Sequence, residues 1–324
     1  MDGLECAKKA AKIHKQVRQD IKDHIKPGIK LWDLCQTVEN RVRELSKEHG
    51  NQLNGGVAFP TGCSINNVAA HFTPNKGDNT ILKETDICKL DFGVHVDGWI
   101  IDSAFTINFQ PQYQPLLDAS KEAVMGIIKN MGVDSKVSEL GEISEEIVKS
   151  YELSIGNKTI PLTPMNNLTG HSIRRWNVHG GKSIPGVKNT YPDIIGENEF
   201  YAVEIFPTTG SGTSYLEGES THFMLKNGFQ KQKFRLKRTY QLLSLIQKEF
   251  STLAFCPRFL NYIDLQRKNK ETNYKMCLGE LFNCGIINSY PPLLDKPGSM
   301  VSQFEHTIYI SNNNKIILSE GDDY

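Results

Sequence analysis

The stretch LDFGVHVDGWIID, residues 90–102, predicts a β-hairpin and indicates how the rest of the fold is built. Asp97-Gly98 favours a two-residue turn, because a type I′ turn needs positive φ at both of its central positions. With this turn, Val96 faces Trp99, and the other residues of the two strands pair outward from there. Because side chains alternate along a strand, the predicted hairpin has one apolar face and one polar face.

The polar face of this hairpin contains two carboxylates. Asp91 lies opposite Ala104 and Asp102 lies opposite Gly93, so the two acids are diagonal neighbours, about 7–8 Å apart at Cα. Side chains at such positions can converge on a pair of cations. In an arbitrary hairpin, two such aspartates are more often simply solvated, so other parts of the chain must decide between the two interpretations. The polar face also contains His95 and Thr106, and the apolar face contains Leu90, Phe92, Val94, Val96, Trp99, Ile101 and Phe105.

The composition excludes several classes of protein. The 324 residues are enough for one large domain or two moderate ones, and the 37 basic and 37 acidic residues cancel. Zero net charge gives no long-range attraction to nucleic acid or to an anionic membrane. No apolar run approaches the roughly 20 residues of a membrane span, and no charged-then-apolar leader opens the sequence. The seven cysteines include no Cys-x-x-Cys pair, which indicates free thiols and a cytoplasmic protein.

Apolar spacing divides the chain into helices and strands. Pro27-Gly28 and Gly50 are expected to end the first two helices, and three glycines indicate a loop-rich segment over residues 55–75. Short strands are predicted over residues 201–206 and 303–310. Between these strands, basic residues and apolar residues at helical spacing predict a helical insertion. The helices before the insertion are predicted over about residues 1–25, 31–48, 113–129 and 138–151.

Two further acids interrupt apolar strands. Glu204 lies in YAVEIF, and Glu305 lies in FEHTIYI, where alternation puts its carboxylate on the face opposite Phe304. Burial of a lone carboxylate is unfavourable unless it is paired, protonated or bound to a metal. A shared metal centre explains several such acids at once, and an imidazole joins them in the candidate set. The candidate ligands are Asp91, Asp102, His171, Glu204 and Glu305. This set suits Mn, Fe, Co or Zn, and carboxylate bridging favours a site with two ions.

Other histidines are candidates for contacts with a substrate. His71, His179 and His222 are of this kind, although a lone histidine is more often a satisfied core or surface residue. We expect His49 and His95 to be such structural residues. The sequence contains no His-Glu-x-x-His zinc helix and no Gly-x-Ser-x-Gly nucleophile elbow.

An ordered series of segments resembles the type 2 methionine aminopeptidases over nearly the whole chain. In chain order these segments are AFPTGCSINNVAAHFTPN, DICKLDFGVHVDGWIIDSAFT, GHS at 170–172, VHGGKSIP, YAVEIF, TLAFC, SYPPLLD, QFEHTI and GDDY. The resemblance implies the pita-bread fold, an α/β (α+β) arrangement in which helices flank a pseudo-twofold central antiparallel sheet. It also implies a catalytic domain of residues 1–225 and 291–324, with residues 226–290 as the helical insertion subdomain typical of type 2 enzymes.

The resemblance also assigns roles to individual positions. It makes the five candidate ligands a two-metal site, and it makes Glu204 the residue that accepts the proton of the attacking water. His71 and His179 match histidines that contact the substrate and the developing tetrahedral intermediate. The pocket for the methionine side chain is implied to consist of Phe59, Val178, Phe206, His222, Ala254 and Tyr290. A flexible thioether packs well against aromatic and small apolar walls, although for the apolar members the residues alone would favour ordinary core packing.

The implied activity is removal of the N-terminal methionine from nascent proteins whose second residue is small, by a hydroxide that two divalent ions activate. We expect a cytoplasmic monomer that acts on nascent polypeptide N-termini, without a membrane or specific nucleic-acid partner. The charged amino-terminal extension of larger eukaryotic members is missing here, so contact with the ribosome is left open. Pro207 and Arg174-Arg175-Trp176 depart from the family pattern beside the site, and their effect on specificity is also open.

Two alternatives to this activity share the same fold. A prolidase or an enzyme like aminopeptidase P has similar metal ligands, but such enzymes lack the helical insertion and the match to the methionine pocket. A catalytically inactive binding module, like the proliferation-associated proteins, keeps the fold and the insertion but has lost metal ligands. The intact ligand set and the zero net charge favour the enzyme over the binding module.

Overall fold

A computed structural model describes residues 2–230, 232–267, 273–312 and 314–324. Within them the α-helices are α1 Gly3–Ile21, α2 Leu31–Leu45, α3 Gln114–Asn130, α4 Val137–Lys149, α5 Lys237–Glu249, α6 Pro257–Gln266 and α7 Lys275–Asn283. The 3₁₀ turns are Lys22–His24, Lys47–His49 and Pro111–Tyr113. The strands are β1 Gly55–Ile65, β2 Val68–Ala70, β3 Ile87–Val96, β4 Trp99–Asn108, β5 Glu152–Ile155, β6 Lys158–Pro161, β7 Thr163–Pro164, β8 Thr169–Ile173, β9 Ser183–Pro185, β10 Glu199–Ile205, β11 Pro207–Thr208, β12 Tyr215–Leu216, β13 His222–Leu225, β14 Ile287–Tyr290, β15 Leu293–Leu294, β16 Phe304–Ser311 and β17 Asn314–Ile317.

The predicted hairpin is confirmed as strands β3 and β4. Val96 pairs with Trp99, and the rest of the antiparallel register follows as predicted. Both turn residues have positive φ, 51° at Asp97 and 79° at Gly98, which is the requirement of a type I′ turn. The apolar-face residues of β3 are fully buried, namely Leu90, Phe92, Val94 and Val96.

Two halves of similar construction form the main body of the protein. In the first half, α1 and α2 cover the antiparallel sheet β1-β3-β4. In the second half, α3 and α4 pack on the antiparallel sheet β17-β16-β10-β8-β9. Each helix pair buries its apolar stripe against its own sheet, and the two pairs belong to two different hydrophobic clusters. Ile173, Phe200 and Ala202 of the second sheet pack with the cluster of the first half. This pairing of helices with a sheet, used twice, is the internal symmetry that the family resemblance implies.

The two halves meet where β4 lies beside β16. The two strands belong to different hydrogen-bonded sheets, and hydroxyl side chains connect them. Thr307 on β16 bonds to the main chain of Asp102, and Thr106 on β4 bonds to the main chain of Gln303. We call this contact between β4 and β16 the seam.

The predicted loop over residues 55–75 was wrong for its first part, which is strand β1. This strand pairs with β3 and has register shifts on both sides of Phe59. An ideal Cβ at the facing Gly93 would lie 2.2 Å from the Phe59 ring, so glycine is needed there for the close approach. Glycines can indicate a bulge or a close contact between strands as well as a loop. In β1 they accompany an irregular, closely paired strand.

The ends of two predicted helices also differ from the structure. Helix α1 ends at Ile21, and Ile25 is already extended, whereas the prediction continues to about residue 25. Between them, Lys22–His24 form a 3₁₀ turn, and Pro27 disfavours helical geometry at Lys26. Helix α2 ends at Leu45, and a 3₁₀ turn then leads to Gly50, whose φ is +96°.

Helices α5, α6 and α7 lie between strands β13 and β14. These two strands pair with each other, so the helical segment leaves and rejoins the main body at adjacent points. Its apolar residues extend the core of the first half and include Leu242, Ile246, Phe250, Phe259 and Leu281. Among the described residues, no helix combines the length and the apolar character that crossing a bilayer would require.

Candidate metal centre and pocket

The five ligand candidates lie on five strands that converge where the two halves meet. The first half supplies two aspartates from its hairpin, and the second half supplies a histidine and two glutamates. In strand order they are Asp91 on β3, Asp102 on β4, His171 on β8, Glu204 on β10 and Glu305 on β16. Burial against the sheets fixes these side chains, so the arrangement is set by the fold rather than by mobile loops.

The side chains approach one another as ligands of a shared site would. Asp102, His171 and Glu305 each offer a ligand atom, and these atoms lie within 4.8 Å of one another. His171 Nε2 is 3.6 Å from an oxygen of Asp102 and 3.9 Å from one of Glu204. Asp91 joins the group through Gln303, whose amide contacts both Asp91 and Glu204.

His171 has the orientation that a metal ligand needs. Its Nδ1 lies 3.3 Å from the carbonyl oxygen of Ser172, which can only accept a hydrogen bond. The proton is therefore on Nδ1, and Nε2 presents its lone pair to the carboxylates. This outer hydrogen bond, which fixes the tautomer and the ring, is typical of histidines that bind metals.

Two buried carboxylate oxygens of this cluster have no hydrogen-bond partner. They are Oδ1 of Asp91 and Oε2 of Glu305. Glu204 and Glu305 also face each other directly across β10 and β16, a position in which like charges repel. Divalent cations would satisfy the orphaned oxygens and offset the repulsion, so the donor set fits a metal site.

Burial raises the pKa of every carboxyl group in the cluster. It raises the pKa of Asp91 to about 7, and burial together with the charge of Asp91 raises the pKa of Glu204 to about 8. The pKa values of Asp102 and Glu305 lie well above their usual range, first through burial and then through the neighbouring acids. A bound cation would lower these pKa values and favour the ionised carboxylates, which are the form that binds metal.

A cavity of about 360 Å³ opens beside the carboxylates. Its lining contains every residue that the family resemblance assigns to the metal site, to the reacting groups and to the methionine pocket. The apolar walls include Phe59, Val178, Phe206 and Ala254, all of them buried. The structure therefore brings these residues together, and their individual roles remain predictions.

Histidine and tyrosine rings form the polar side of this cavity. The ring centre of His71 lies 5.9 Å from that of His222 and 5.8 Å from that of Tyr290. His71 has a φ of +63°, an uncommon geometry for a residue other than glycine and one that clusters at functional sites. His179 is exposed, and its ring centre lies 4.6 Å from that of His171. Burial lowers the pKa of His71 to about 3, so its ring is neutral at pH 7 and can donate one N–H.

Several residues of the cavity were not predicted from the sequence, among them Gln303, Met224 and Leu293. Gln303 donates its amide to Asp91 at 3.4 Å and to Glu204 at 3.0 Å, and thus connects acids from both halves. Met224 and Leu293 add to the apolar lining. Strand alternation could have indicated two of them, since Gln303 lies two residues before Glu305 and Met224 lies two residues after His222.

The segment Arg174–Asn177 forms a tight turn that contacts the hairpin turn. The Trp176 N–H donates to the Gly98 carbonyl at 2.8 Å, and Arg175 bonds to the carbonyl and the carboxylate of Asp97. The Trp176 ring also lies 5.5 Å from the ring of His95. The residues that depart from the family pattern, Arg174-Arg175-Trp176, therefore form a contact between two turns. They precede Val178 and His179, which line the cavity.

Comparison with known proteins first identifies the protein family. A model described as metallopeptidase family M24 matches residues 5–241, and the chain belongs to this family. Among solved structures, thermophilic Arx1 is similar with a TM-score of 0.83, at 19% identity, and covers 100% of this chain and 92% of its own. A methionine aminopeptidase from Thermotoga maritima has a TM-score of 0.64, at 17% identity, over 98% of this chain and 96% of its own. At these identities the likeness concerns the fold alone, and it confirms the predicted pita-bread architecture.

Sequence relatives then define the group within the family. Methionine aminopeptidase 2A of Arabidopsis thaliana is 46% identical over 98% of this chain and 70% of its own length. Methionine aminopeptidase 2 of Verticillium alfalfae is 42% identical over 100% of this chain and 72% of its own length. The resemblance to the type 2 methionine aminopeptidases is thus confirmed along the whole chain.

Proposed function

We propose that this chain is a metal-dependent aminopeptidase that removes the N-terminal methionine from proteins whose second residue is small. One observation supports this most strongly, namely a buried cluster of four carboxylates and one imidazole beside an apolar cavity. The cluster suits hydrolysis with metal ions, and the cavity has the size and composition to enclose one thioether side chain. The names of the relatives agree with this substrate.

The cofactors in this proposal are two divalent ions, chosen from Co, Mn, Fe and Zn. The residues that would hold them are Asp91, Asp102, His171, Glu204 and Glu305. Four carboxylates allow bridging between two ions, and one imidazole selects for borderline metals rather than Mg or Ca. When bound, such ions lower the pKa of water towards neutrality and polarise a carbonyl group.

Glu204 is the proposed general base. Its Oε2 accepts from Gln303 and is fixed in place, while Oε1 faces the ligand cluster. In the reaction it takes a proton from the attacking water and delivers it to the departing amine. His71 and His179 are proposed to donate N–H bonds to the substrate carbonyl and to the oxyanion, a role that suits the neutral ring of His71.

The side chain of the first residue is proposed to occupy the apolar end of the cavity. The proposed pocket residues Phe59, Val178, Phe206, His222, Ala254 and Tyr290 all line the cavity, and Met224 and Leu293 add to its apolar lining. Their mixture of aromatic rings and small apolar groups can follow the shape of an unbranched thioether. A β-branched or charged first residue fits such a cavity poorly, so selectivity for methionine is expected.

The domain division remains part of the proposal. Residues 1–225 and 291–324 would form the catalytic domain, and residues 226–290 would form the insertion subdomain. The pairing of β13 with β14 supports this division, because it brings the two ends of the insertion together.

The setting of the reaction is also proposed. All seven cysteines are free thiols, which agrees with a cytoplasmic enzyme, and we propose a monomer that acts on nascent chains. Residues 226–241 contain six basic and no acidic residues within a chain of zero net charge. This local charge suits a transient contact with ribosomal RNA, near the point where new N-termini emerge.

The test is release of the first residue from matched peptides. The metal-loaded wild-type protein should release methionine from Met-Ala-Ser in the presence of Co or Mn and leave an Xaa-Pro peptide intact. Asp102→Asn is the control, and it should lose activity with little change in fold, because the amide removes one anionic ligand. Cleavage of Xaa-Pro alone would support the prolidase alternative, and no cleavage by a folded, metal-loaded protein would support a binding module.

A further inference from the structure

The seam between β4 and β16 holds residues from both sides of the candidate metal site. Asp102 lies on β4, and Glu305 lies on β16. The main chains of an antiparallel ladder would be about 4.8 Å apart. At the seam, hydroxyl groups stand between the main chains instead, so the spacing of the two strands depends on those side chains.

Thr307 satisfies both main-chain groups of Asp102 with a single hydroxyl. Its Oγ1 donates to the Asp102 carbonyl at 2.6 Å and accepts from the Asp102 N–H at 2.8 Å. This pair of bonds uses the only proton of the hydroxyl and one of its two lone pairs. Thr307 is completely buried.

Thr106 repeats this arrangement with the strands exchanged. Its Oγ1 donates to the Gln303 carbonyl at 2.8 Å and accepts from the Gln303 N–H at 2.8 Å. Gln303 is the residue whose amide reaches the acids Asp91 and Glu204. Each threonine thus fixes the main chain of a residue that points into the candidate metal site.

A third hydroxyl connects the seam with residues 321–324. Ser103 Oγ donates to the Glu305 carbonyl at 2.7 Å, and it lies 2.8 Å from the Tyr324 hydroxyl. Because the proton of Ser103 is already used, Tyr324 is the donor in their bond. Arg18 lies over the Tyr324 ring at 4.1 Å and pairs with Asp323 through two hydrogen bonds, which fixes Tyr324 beside the seam.

We propose that Thr307 and Tyr324 are positioning residues that set the spacing of the metal ligands Asp102 and Glu305 across the seam. The inference rests on the proposed function, since it concerns the ligands of that metal site. Thr307 acts on Asp102 directly, and Tyr324 acts on Glu305 through Ser103. Neither side chain belongs to the ligand set, so both act through main-chain position alone.

The test compares Co²⁺ binding by hydroxyl variants of the full chain. Thr307→Val keeps the shape of the side chain and removes the hydroxyl, and it should weaken Co²⁺ binding about 10- to 100-fold, the usual effect of losing a group that orients a ligand. The visible absorption spectrum of bound Co²⁺ should change as well. Thr307→Ser keeps the hydroxyl and should restore both affinity and spectrum.

Controls separate positioning from a general loss of packing. Thr239→Val removes another fully buried hydroxyl, which bonds to Glu280 far from the site, and it should leave Co²⁺ binding unchanged. In an Asp102→Asn background, Thr307→Val should cause no further loss of affinity, because its partner ligand is already impaired. Circular dichroism confirms the fold of each variant.

If Thr307→Val does not fold, Tyr324→Phe provides the same test, because it removes one hydroxyl and keeps the ring packing. It should weaken Co²⁺ binding in the same direction. Wild-type affinity and spectrum in the folded variants would overturn the inference while leaving the proposed function intact. Failure of the wild-type protein itself to bind Co²⁺ would instead contradict the proposed function.

Discussion

Burial determines the charge of single residues throughout the protein. His14 and His95 are both completely buried, and burial lowers the pKa of each, well below the usual range for His14 and to about 4 for His95. Each ring stays neutral in the folded state and has a local hydrogen-bond partner, Phe92 for His14 and Gly98 for His95. Buried neutral histidines of this kind make a protein sensitive to acid, because the unfolded chain gains protons that the folded chain excludes.

His95 gives a prediction with a definite sign. Its folded-state pKa of about 4 lies below the unfolded value of 6.5, so its stabilising effect is present above pH 6.5 and is lost as the pH falls towards 4. Between pH 7 and pH 5 this residue alone should reduce the free energy of unfolding by about 2 kcal/mol. His95→Asn should remove that part of the slope, measured by urea unfolding at several pH values.

The matched control for this experiment is the exposed His24. The pH dependence of stability in His95→Asn is to be compared with that of His24→Asn and of the wild type under the same conditions. An unchanged slope in His95→Asn would show that another group causes the acid sensitivity.

At the scale of elements, the hairpin turn and the turn Arg174–Asn177 are in close contact. Gly98 has a φ of +79°, and an ideal Cβ there would lie 2.4 Å from the Trp176 ring. Gly28 has a φ of +95° with no atom within 4 Å of its ideal Cβ. The two glycines therefore separate backbone strain from steric clash.

Gly98→Ala should destabilise the protein by clearly more than Gly28→Ala. Left-handed geometry alone costs about 1–2 kcal/mol for a residue with a Cβ, and only Gly98 adds the clash with Trp176. Thermal and urea unfolding measure the difference. Trp176→Ala in the Gly98→Ala background should recover part of the loss, and equal effects of the two glycine variants would show that the turns are not in firm contact.

Element prediction from the sequence succeeded where local chemistry decides the structure. The turn pair Asp97-Gly98 fixed the hairpin and its register, since the turn type leaves little freedom. It failed for β1, whose glycines face a close approach between strands that no local pattern reveals. Pro27 indicates that helical geometry stops before Lys26, but it does not locate the end of α1 at Ile21.

At the scale of the whole molecule, the two halves come together to assemble the candidate site. The acids Glu204 and Glu305 were predictable because each interrupts an apolar strand, and Asp91 and Asp102 because they share the polar face of the hairpin. The family resemblance supplied the apolar residues of the pocket and the individual roles. The hydroxyl contacts of the seam were not predictable, because they join residues about 200 positions apart. Gln303 was not predicted, although it lies two residues before Glu305, and its amide reaches Asp91 and Glu204.

Ligands from both halves of the protein converge on one candidate metal site, so the proposed activity depends on metal binding. We propose that this chain releases N-terminal methionine and that the reaction depends on ions bound by Asp91, Asp102, His171, Glu204 and Glu305. The most direct test is a titration of the metal-stripped, folded protein with Co²⁺, in which bound metal and methionine release from Met-Ala-Ser are measured on the same samples. We predict no release without metal and release that rises as up to two ions bind per chain. A folded protein that binds two ions and releases no methionine, or one that is fully active without metal, would contradict the account.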